Sequence, residues 1–160
     1  MSGTASVIVA STSAAAGTNP DGTGPLIKQW LEEQGFSTSL QVVADGTPTG
    51  EAVRTAVAAG TSVIITTGGT GVSPSDLTPE QVEPLLEVQL PGIIEAVRAR
   101  GMASTPMACI TRGVAGFAGQ SFIATLPGSA SAVRDGLAVL EPILHHLLAQ
   151  RSGRGGHGKR

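Results

Sequence analysis

Residues 61–80 read TSVIITTGGTGVSPSDLTPE. The first six, Thr61–Thr66, are a short β-branched apolar run of the kind that makes a buried strand. That strand stops at glycine. Gly68, Gly69 and Gly71 tolerate positive φ and carry no side chain, so the backbone can curl into a concavity whose N–H groups face an anion. Thr66, Thr67, Thr70 and Ser73 bring hydroxyls to the same turn, and hydroxyls can donate to phosphate oxygens. The run Gly68-Gly69-Thr70-Gly71 is neither the spaced GxGxxG of a dinucleotide fold nor a GxxxxGK[ST] loop, since no lysine follows. From the glycines alone, a phosphate cradle and a plain strand-to-helix turn both remain open.

Working outward, strand-like and helix-like patterns alternate on either side of this stretch, which predicts an α/β sandwich of three layers. Ala5–Ala10 (ASVIVA) reads as a first strand. Gly24–Gln34 reads as a helix with Pro25 near its start, Gly35 as its stop, and Leu26, Ile27, Trp30 and Leu31 on its buried face. Phe36–Val43 is expected to be the second strand and Thr49–Ala59 the second helix, so that Thr61–Thr66 is the third strand, joined by parallel crossovers. Pro79–Val88 and Pro91–Arg100 read as short helices with proline in the first turn, the latter closed by Gly101. Met107–Thr111 and Ser121–Thr125 both look strand-like. Only Arg112–Gln120 separates them, which is short for a crossover helix, so an antiparallel pair and hence a mixed, mostly parallel sheet are predicted. Ala130–Gln150 reads as a closing helix with an apolar stripe, kinked at Pro142.

Asp45 follows the second predicted strand as Asp76 follows the third. If those strands run parallel, both carboxylates emerge at the same carboxyl edge, where open α/β sheets bind ligands. Two carboxylates beside a phosphate-sized cradle suit a hard cation such as Mg²⁺ on nucleotide phosphates, which points to phosphoryl or nucleotidyl transfer. The alternative reading is that Asp45 and Asp76 only shape turns or cap helices. Arg112, directly after a predicted strand, offers a fork of donors for phosphate, with a surface salt bridge as its other reading.

Composition narrows the function classes. The chain has 160 residues and a formal charge of −2, and the stretch 151–160 (RSGRGGHGKR) is basic with no acid. Residues 1–150 hold six Lys/Arg against twelve Asp/Glu and form one expected domain, with 151–160 read as a disordered basic tail that includes His157. An acidic body with no tyrosine, three phenylalanines and one tryptophan argues against nucleic acid as a partner. Cys109 is the one cysteine, so no intrachain disulfide or thiolate metal site can form, and its apolar neighbours suggest a buried small residue. A reducing cytoplasm is expected, with neither export signal nor membrane span. His145 and His146, late in the closing helix, read as structural.

Several residues taken in order carry a resemblance. They are Gly17, Asp21 and Gly24 after the first strand, Asp45 after the second, and Thr67–Gly71 with Asp76, Thr78, Pro79 and Glu80. Pro91-Gly92 with Glu95 and Arg98, Arg112 with Gly116, and Leu126-Pro127-Gly128-Ser129 complete the series. In these the chain resembles the Mog/MoaB family of molybdopterin-biosynthesis proteins, whose fold recurs in the gephyrin G domain, over nearly its whole length to about Gln150. The resemblance implies molybdopterin adenylyltransferase activity in molybdenum cofactor biosynthesis, in which AMP passes from MgATP to the terminal phosphate of molybdopterin and pyrophosphate leaves.

By position, Asp45 and Asp76 are implied as the Mg²⁺-binding, catalytic carboxylates. Thr67, Gly68, Gly69, Thr70, Gly71, Ser73, Glu95, Arg112, Pro127, Gly128 and Ser129 are implied as ligand contacts. A homotrimer, and a molybdenum-insertion protein as partner, follow from the same likeness. The chain departs from the family pattern in three places. Ser11-Thr12-Ser13 stands where an acid is common, Ser75 where an arginine often precedes the loop aspartate, and Thr111 where a serine is usual. Lys28 and Arg54 are candidates to supply the missing cation. The alternative is a molybdopterin-binding or partner-binding relative without catalysis.

Overall fold

The computed structural model describes residues 3–17 and 22–154. In chain order these form β1 (Gly3–Ala10), α1 (Thr12–Ala15), α2 (Gly24–Glu33), β2 (Phe36–Val43), α3 (Thr47–Ala58) and β3 (Val63–Thr67). Then come α4 (Thr78–Val82), β4 (Val88–Gln89), α5 (Pro91–Met102), β5 (Ala115–Ala118), β6 (Ser121–Leu126), α6 (Ala130–Leu140) and α7 (Leu144–Arg151). Asp21 and residues 155–160, the larger part of the expected tail with His157, lie outside the described residues.

The strands make one sheet in the order β2-β1-β3-β6-β5-β4. β2, β1, β3 and β6 are parallel, whereas β5 runs antiparallel to both β6 and β4. The expected mixed α/β sandwich is therefore present. Its three layers follow from the period of two along each central strand. Val7, Val63, Ile65, Phe122 and Leu126 pack under α2, α5, α6 and α7 through Ile27, Leu31, Ile94, Val133, Leu137 and Leu144. Ile8, Ile64 and Ile123 point the other way, to Ala52, Val53 and Ala56 of α3 and Val82 of α4. Ile8, Ile64, Ile65, Phe122 and Ile123 are fully buried, each burial contributing about 1.5–3 kcal/mol. From β1 the chain passes to β2 on one side and later to β3 on the other, with α2 and α3 on opposite faces. The carboxyl ends of β1 and β3 thus form a topological switch point, where such sheets open a crevice.

The second half departs from the sequence-based expectation in several elements. Met107–Thr111 is not a strand. Pro106–Ile110 winds as a 3-10 helix, with Pro106 in its first turn and Thr105 Oγ1 accepting from the Met107 amide at 3.2 Å. The antiparallel partner of β6 is instead β5, within the stretch expected to be only a connection, and Gly119 at φ 59° turns the hairpin.

The helix expected over Pro79–Val88 is split. Pro84 supplies no N–H to continue α4, so a 3-10 turn, Glu83–Leu85, follows and Val88 enters the edge strand β4. Gly101 lies inside α5 instead of ending it, and its lack of a side chain admits Ala108, since a Cβ there would stand 2.7 Å from Ala108 Cβ. At Pro142 the closing helix breaks into α6 and α7, a larger effect than the expected kink. Cys109 is exposed, contrary to the buried reading, on the outer 3-10 segment. His145 stacks on Phe36 with ring centroids 5.6 Å apart, a structural contact as expected. α7 is tied down at its last residue. Arg151 Nε donates to the Gly119 carbonyl at 3.0 Å, and its guanidinium sits 5.3 Å from the Phe117 ring centroid.

Gly116 shows why β5 is hard to read from its residues. A Cβ on it would collide with the Val88 carbonyl, so the β4–β5 ladder closes only over glycine. Gly116→Ala is expected to lower the free energy of unfolding by about 1–3 kcal/mol. Gly92→Ala, where a Cβ would meet nothing within 4 Å, should be neutral or stabilising by up to about 1 kcal/mol. Urea denaturation of the two variants measures the contrast.

Candidate functional site

The turn that leaves β3 is shaped by a convergence of backbone. Gly68 takes φ 96° and Gly69 φ 70°. The Gly68 amide donates to the Leu126 carbonyl at 3.0 Å, and Thr78 Oγ1 donates to the Gly68 carbonyl at 2.9 Å. A Cβ at Gly68 would collide with the carbonyl of Ala10, at the end of β1. A Cβ at Gly128 would stand 3.4 Å from Gly68 Cα. The loop therefore threads between β1 and the Pro127–Ser129 turn, at the switch point. Beyond this, the amides of Gly69, Thr70, Gly71 and Val72 find no acceptor among the described residues. Four successive amides without an acceptor among the described residues, at a turn where Gly68 and Gly69 take positive φ, are donors available to an anion.

Both predicted aspartates reach this loop. A Cβ at Gly69 would lie 3.1 Å from Asp45 Oδ1, and one at Gly71 would lie 2.8 Å from Asp76 Oδ2. Asp45 is held from the other side. Its Oδ2 accepts from the Thr12 amide at 3.1 Å and from Thr12 Oγ1 at 3.0 Å, and its own amide donates to Thr12 Oγ1 at 3.2 Å. Thr12 thus has a use that residue pattern did not reveal. An acid at that position would repel Asp45, whereas threonine anchors it and leaves Oδ1 directed at the glycine turn. Asp76 Oδ2 accepts from the Ser73 amide at 2.9 Å, closing a tight local turn. Asp45 and Asp76 are half-buried, so both can meet a ligand while remaining hydrated.

The threonines expected to ring the cradle turn inward. Thr66 and Thr67 are fully buried. Thr67 Oγ1 donates to the Pro127 carbonyl at 2.8 Å, and Thr70 Oγ1 accepts from Thr111 Oγ1 at 2.8 Å. Thr67 and Thr70 brace the loop, Thr66 Oγ1 is buried with no partner among the described residues, and Ser73 is exposed. Ser129 caps α6, accepting from the Ala132 amide at 3.3 Å, beside exposed Gly128. Glu95 is exposed on α5, and no hydrogen bond or ion pair joins it to the loop among the described residues.

Arg112 also differs from a simple phosphate contact. Its Nε donates to the Gly71 carbonyl at 2.7 Å and its Nη2 to the Asp76 carbonyl at 2.8 Å. Nη1 and Nη2 meet the Glu80 carboxylate at 2.7 and 3.3 Å. The cation beside Asp76 is therefore Arg112, and neither Lys28, paired with Glu32 at 2.9 Å, nor Arg54 on α3 replaces the absent one at Ser75. The hydrogen bond from Arg112 holds the Glu80 carboxyl below its usual range. Because the folded value is the lower one, the contribution of the pair is present at neutral pH and is lost as pH falls through the lowered value.

Two recesses flank the Pro127–Ser129 turn. One, of about 210 Å³, lies between the end of β1 and the loop, bordered by Ala10, Ser11, Thr23, Gly68 and Gly128. The other, of about 160 Å³ and largely apolar, lies between α5, α6 and the 3-10 segment, lined by Val97, Arg98, Met107, Thr111, Pro127 and Ser129. Arg98 donates through Nε to the Thr111 carbonyl at 2.8 Å, which leaves the end of its fork beside this recess. Among the described residues no group of three or more His, Cys, Asp and Glu could hold a metal ion by itself. No helix there is long and apolar enough to cross a membrane.

Residues 6–146 match a family model described as "Probable molybdopterin binding domain". The chain is 40% identical over 151 residues to a molybdenum cofactor biosynthesis bifunctional protein of Synechococcus elongatus, covering 93% of this chain and 47% of that protein. The chain thus spans about half the length of that curated relative. It is 34% identical to a molybdopterin adenylyltransferase of Pyrococcus furiosus, covering 89% of this chain and 87% of the relative. The solved molybdopterin biosynthesis Mog protein of Mycobacterium ulcerans superposes with a TM-score of 0.91 at 48% identity, over 96% of this chain and 99% of that one. With the glycine turn and its two aspartates at the switch point, these similarities make the chain a member of the Mog/MoaB family of molybdenum cofactor biosynthesis, built on a molybdopterin-binding domain.

Proposed function

We propose that the chain is a molybdopterin adenylyltransferase, with the acceptor-free amides of residues 69–72 between Asp45 and Asp76 as the observation that carries the reading. A phosphate oxygen of molybdopterin attacks the α-phosphorus of ATP, a P–O bond forms there, and the bond to the β-phosphate breaks to release pyrophosphate. Such a reaction crowds negative charge and needs donors and cations more than a protein nucleophile. The donor set fits Mg²⁺, which is commonly bound through one or two carboxylates together with substrate phosphates. Asp45 Oδ1 and the Asp76 carboxylate would hold it, and it would supply charge neutralisation on the nucleotide. The loop amides and Ser73 would cradle phosphate, and Thr12 would keep Asp45 oriented.

The apolar recess suits the flat pterin ring, with Arg98 as donor to its acceptor edge and Thr111 and Ser129 at its rim. Pro127–Ser129, between the two recesses, would then separate the pterin from the nucleotide and set their reacting phosphates against each other. Proximity of this kind is a large part of catalysis in group transfer.

Purified protein given molybdopterin, ATP and Mg²⁺ should release pyrophosphate and cease when the metal is chelated. Asp45→Asn and Asp76→Asn, near-isosteric changes, should each lower turnover about 100-fold or more while pterin binding by calorimetry persists. Pterin binding without pyrophosphate from the unaltered protein would instead assign a binding role without catalysis, the reading that the uncharged Ser75 favours. We also propose the homotrimer implied by the family likeness, which predicts a solution mass by light scattering near three times the 16.0 kDa chain. A monomer mass would refute it.

A further inference from the structure

Arg112 gathers acceptors from two ends of one excursion of chain. Gly71 leaves the glycine turn and Asp76 returns toward α4, and a single guanidinium bonds both carbonyls, at 2.7 and 2.8 Å, while its outer edge engages Glu80 of α4. The backbone around it adds two more ties to the preceding residue of the loop. The Arg112 amide donates to the Thr70 carbonyl at 2.8 Å, and Thr111 Oγ1 donates to Thr70 Oγ1 at 2.8 Å. Arg98 Nε in turn holds the Thr111 carbonyl at 2.8 Å, which anchors the arrangement to α5. Four N–H···O contacts from one rigid planar group fix direction as well as distance, which a lysine ammonium on a flexible stem cannot reproduce.

We propose that Arg112 is a positioning residue that, with Glu80 and Thr111, clamps the loop from Thr70 to Asp76 and so holds the Asp76 carboxylate at the glycine turn. It acts through Asp76 and the loop amides, and does not touch the phosphate itself. A guanidinium free to bind phosphate would leave its fork open, whereas most of this one is engaged by protein oxygens. Asp76 is otherwise braced only locally, through Ser73, so the clamp links the aspartate to α4 and α5. The catalytic part of this inference rests on the adenylyltransferase reading, and the structural part does not.

The experiment compares Arg112→Lys and Glu80→Gln with the unaltered protein. Without ligand, amide hydrogen exchange at Ser73 and Asp76 should quicken by about tenfold or more in both variants, while the amides of β3 stay protected. In turnover, kcat should fall by about 10- to 100-fold in Arg112→Lys, with KM for ATP and molybdopterin changing less than about threefold. Lysine should not rescue, although it keeps the charge. Glu80→Gln, at an exposed side chain, retains the fold and carries the same exchange readout should Arg112→Lys fail to fold. Unchanged loop exchange in Glu80→Gln overturns the clamp. So does near-normal kcat in Arg112→Lys, or tighter ATP binding in Glu80→Gln, since either result would make Arg112 an anion contact. Absence of pyrophosphate from the unaltered protein overturns the adenylyltransferase reading alone, and the exchange comparison still decides the clamp.

Discussion

Everything at the carboxyl edge of this sheet depends on the backbone passing through Gly68. The residue is pressed against the carbonyl of Ala10, bonded to the carbonyl of Leu126, covered by Gly128 and held by the hydroxyl of Thr78. At φ 96° and with a main-chain oxygen where a Cβ would sit, no other residue fits without parting β1 from β3. This close approach lets the loop after β3 cross the switch point, with the amides of residues 69–72 lacking acceptors among the described residues. It also brings together the ends of β1 and β6 and the start of α4, which otherwise have no reason to meet.

Around that crossing, the charges are arranged by neutral and cationic partners of different kinds. Asp45 is anchored by the amide and hydroxyl of Thr12, so one carboxylate oxygen is occupied and the other faces the loop. Asp76 receives a backbone amide from Ser73 and has the Arg112 guanidinium behind its own carbonyl. At residue 12 a threonine orients Asp45, and the positive charge beside Asp76 is that of Arg112, far along the chain. Both aspartates remain half-exposed.

The central strands were readable because each is a β-branched run whose alternate residues serve two opposed cores. Ile64 and Ile65 make the point, with adjacent residues fully buried on opposite faces. β4 and β5 were not readable. Ala115-Gly-Phe-Ala118 has no β-branched residue, and its strand state comes from pairing with Phe122 and Ile123 on one side and with Val88 on the other. Conversely, Met107–Thr111 has strand-like residues, but Pro106 and the Thr105 cap start a helical turn before any strand partner is reached. Gly101 misleads in the same way, since its role is to admit Ala108 and not to stop a helix.

The amino-acid sequence by itself determined the parallel half of the sheet, the glycine turn after the third strand, the edge at which Asp45 and Asp76 emerge, and the family likeness. Those are properties of local residue type, period and order. Tertiary structure alone decided which hydroxyls and cations around the turn are engaged by the protein. Thr67, Thr70 and Arg112 each look like ligand contacts when read along the chain, yet their donors and acceptors find partners at Pro127, Thr111, Gly71, Asp76 and Glu80. A hydrogen bond between residues distant in the chain depends on how the strands and helices stack, which residue order alone does not show.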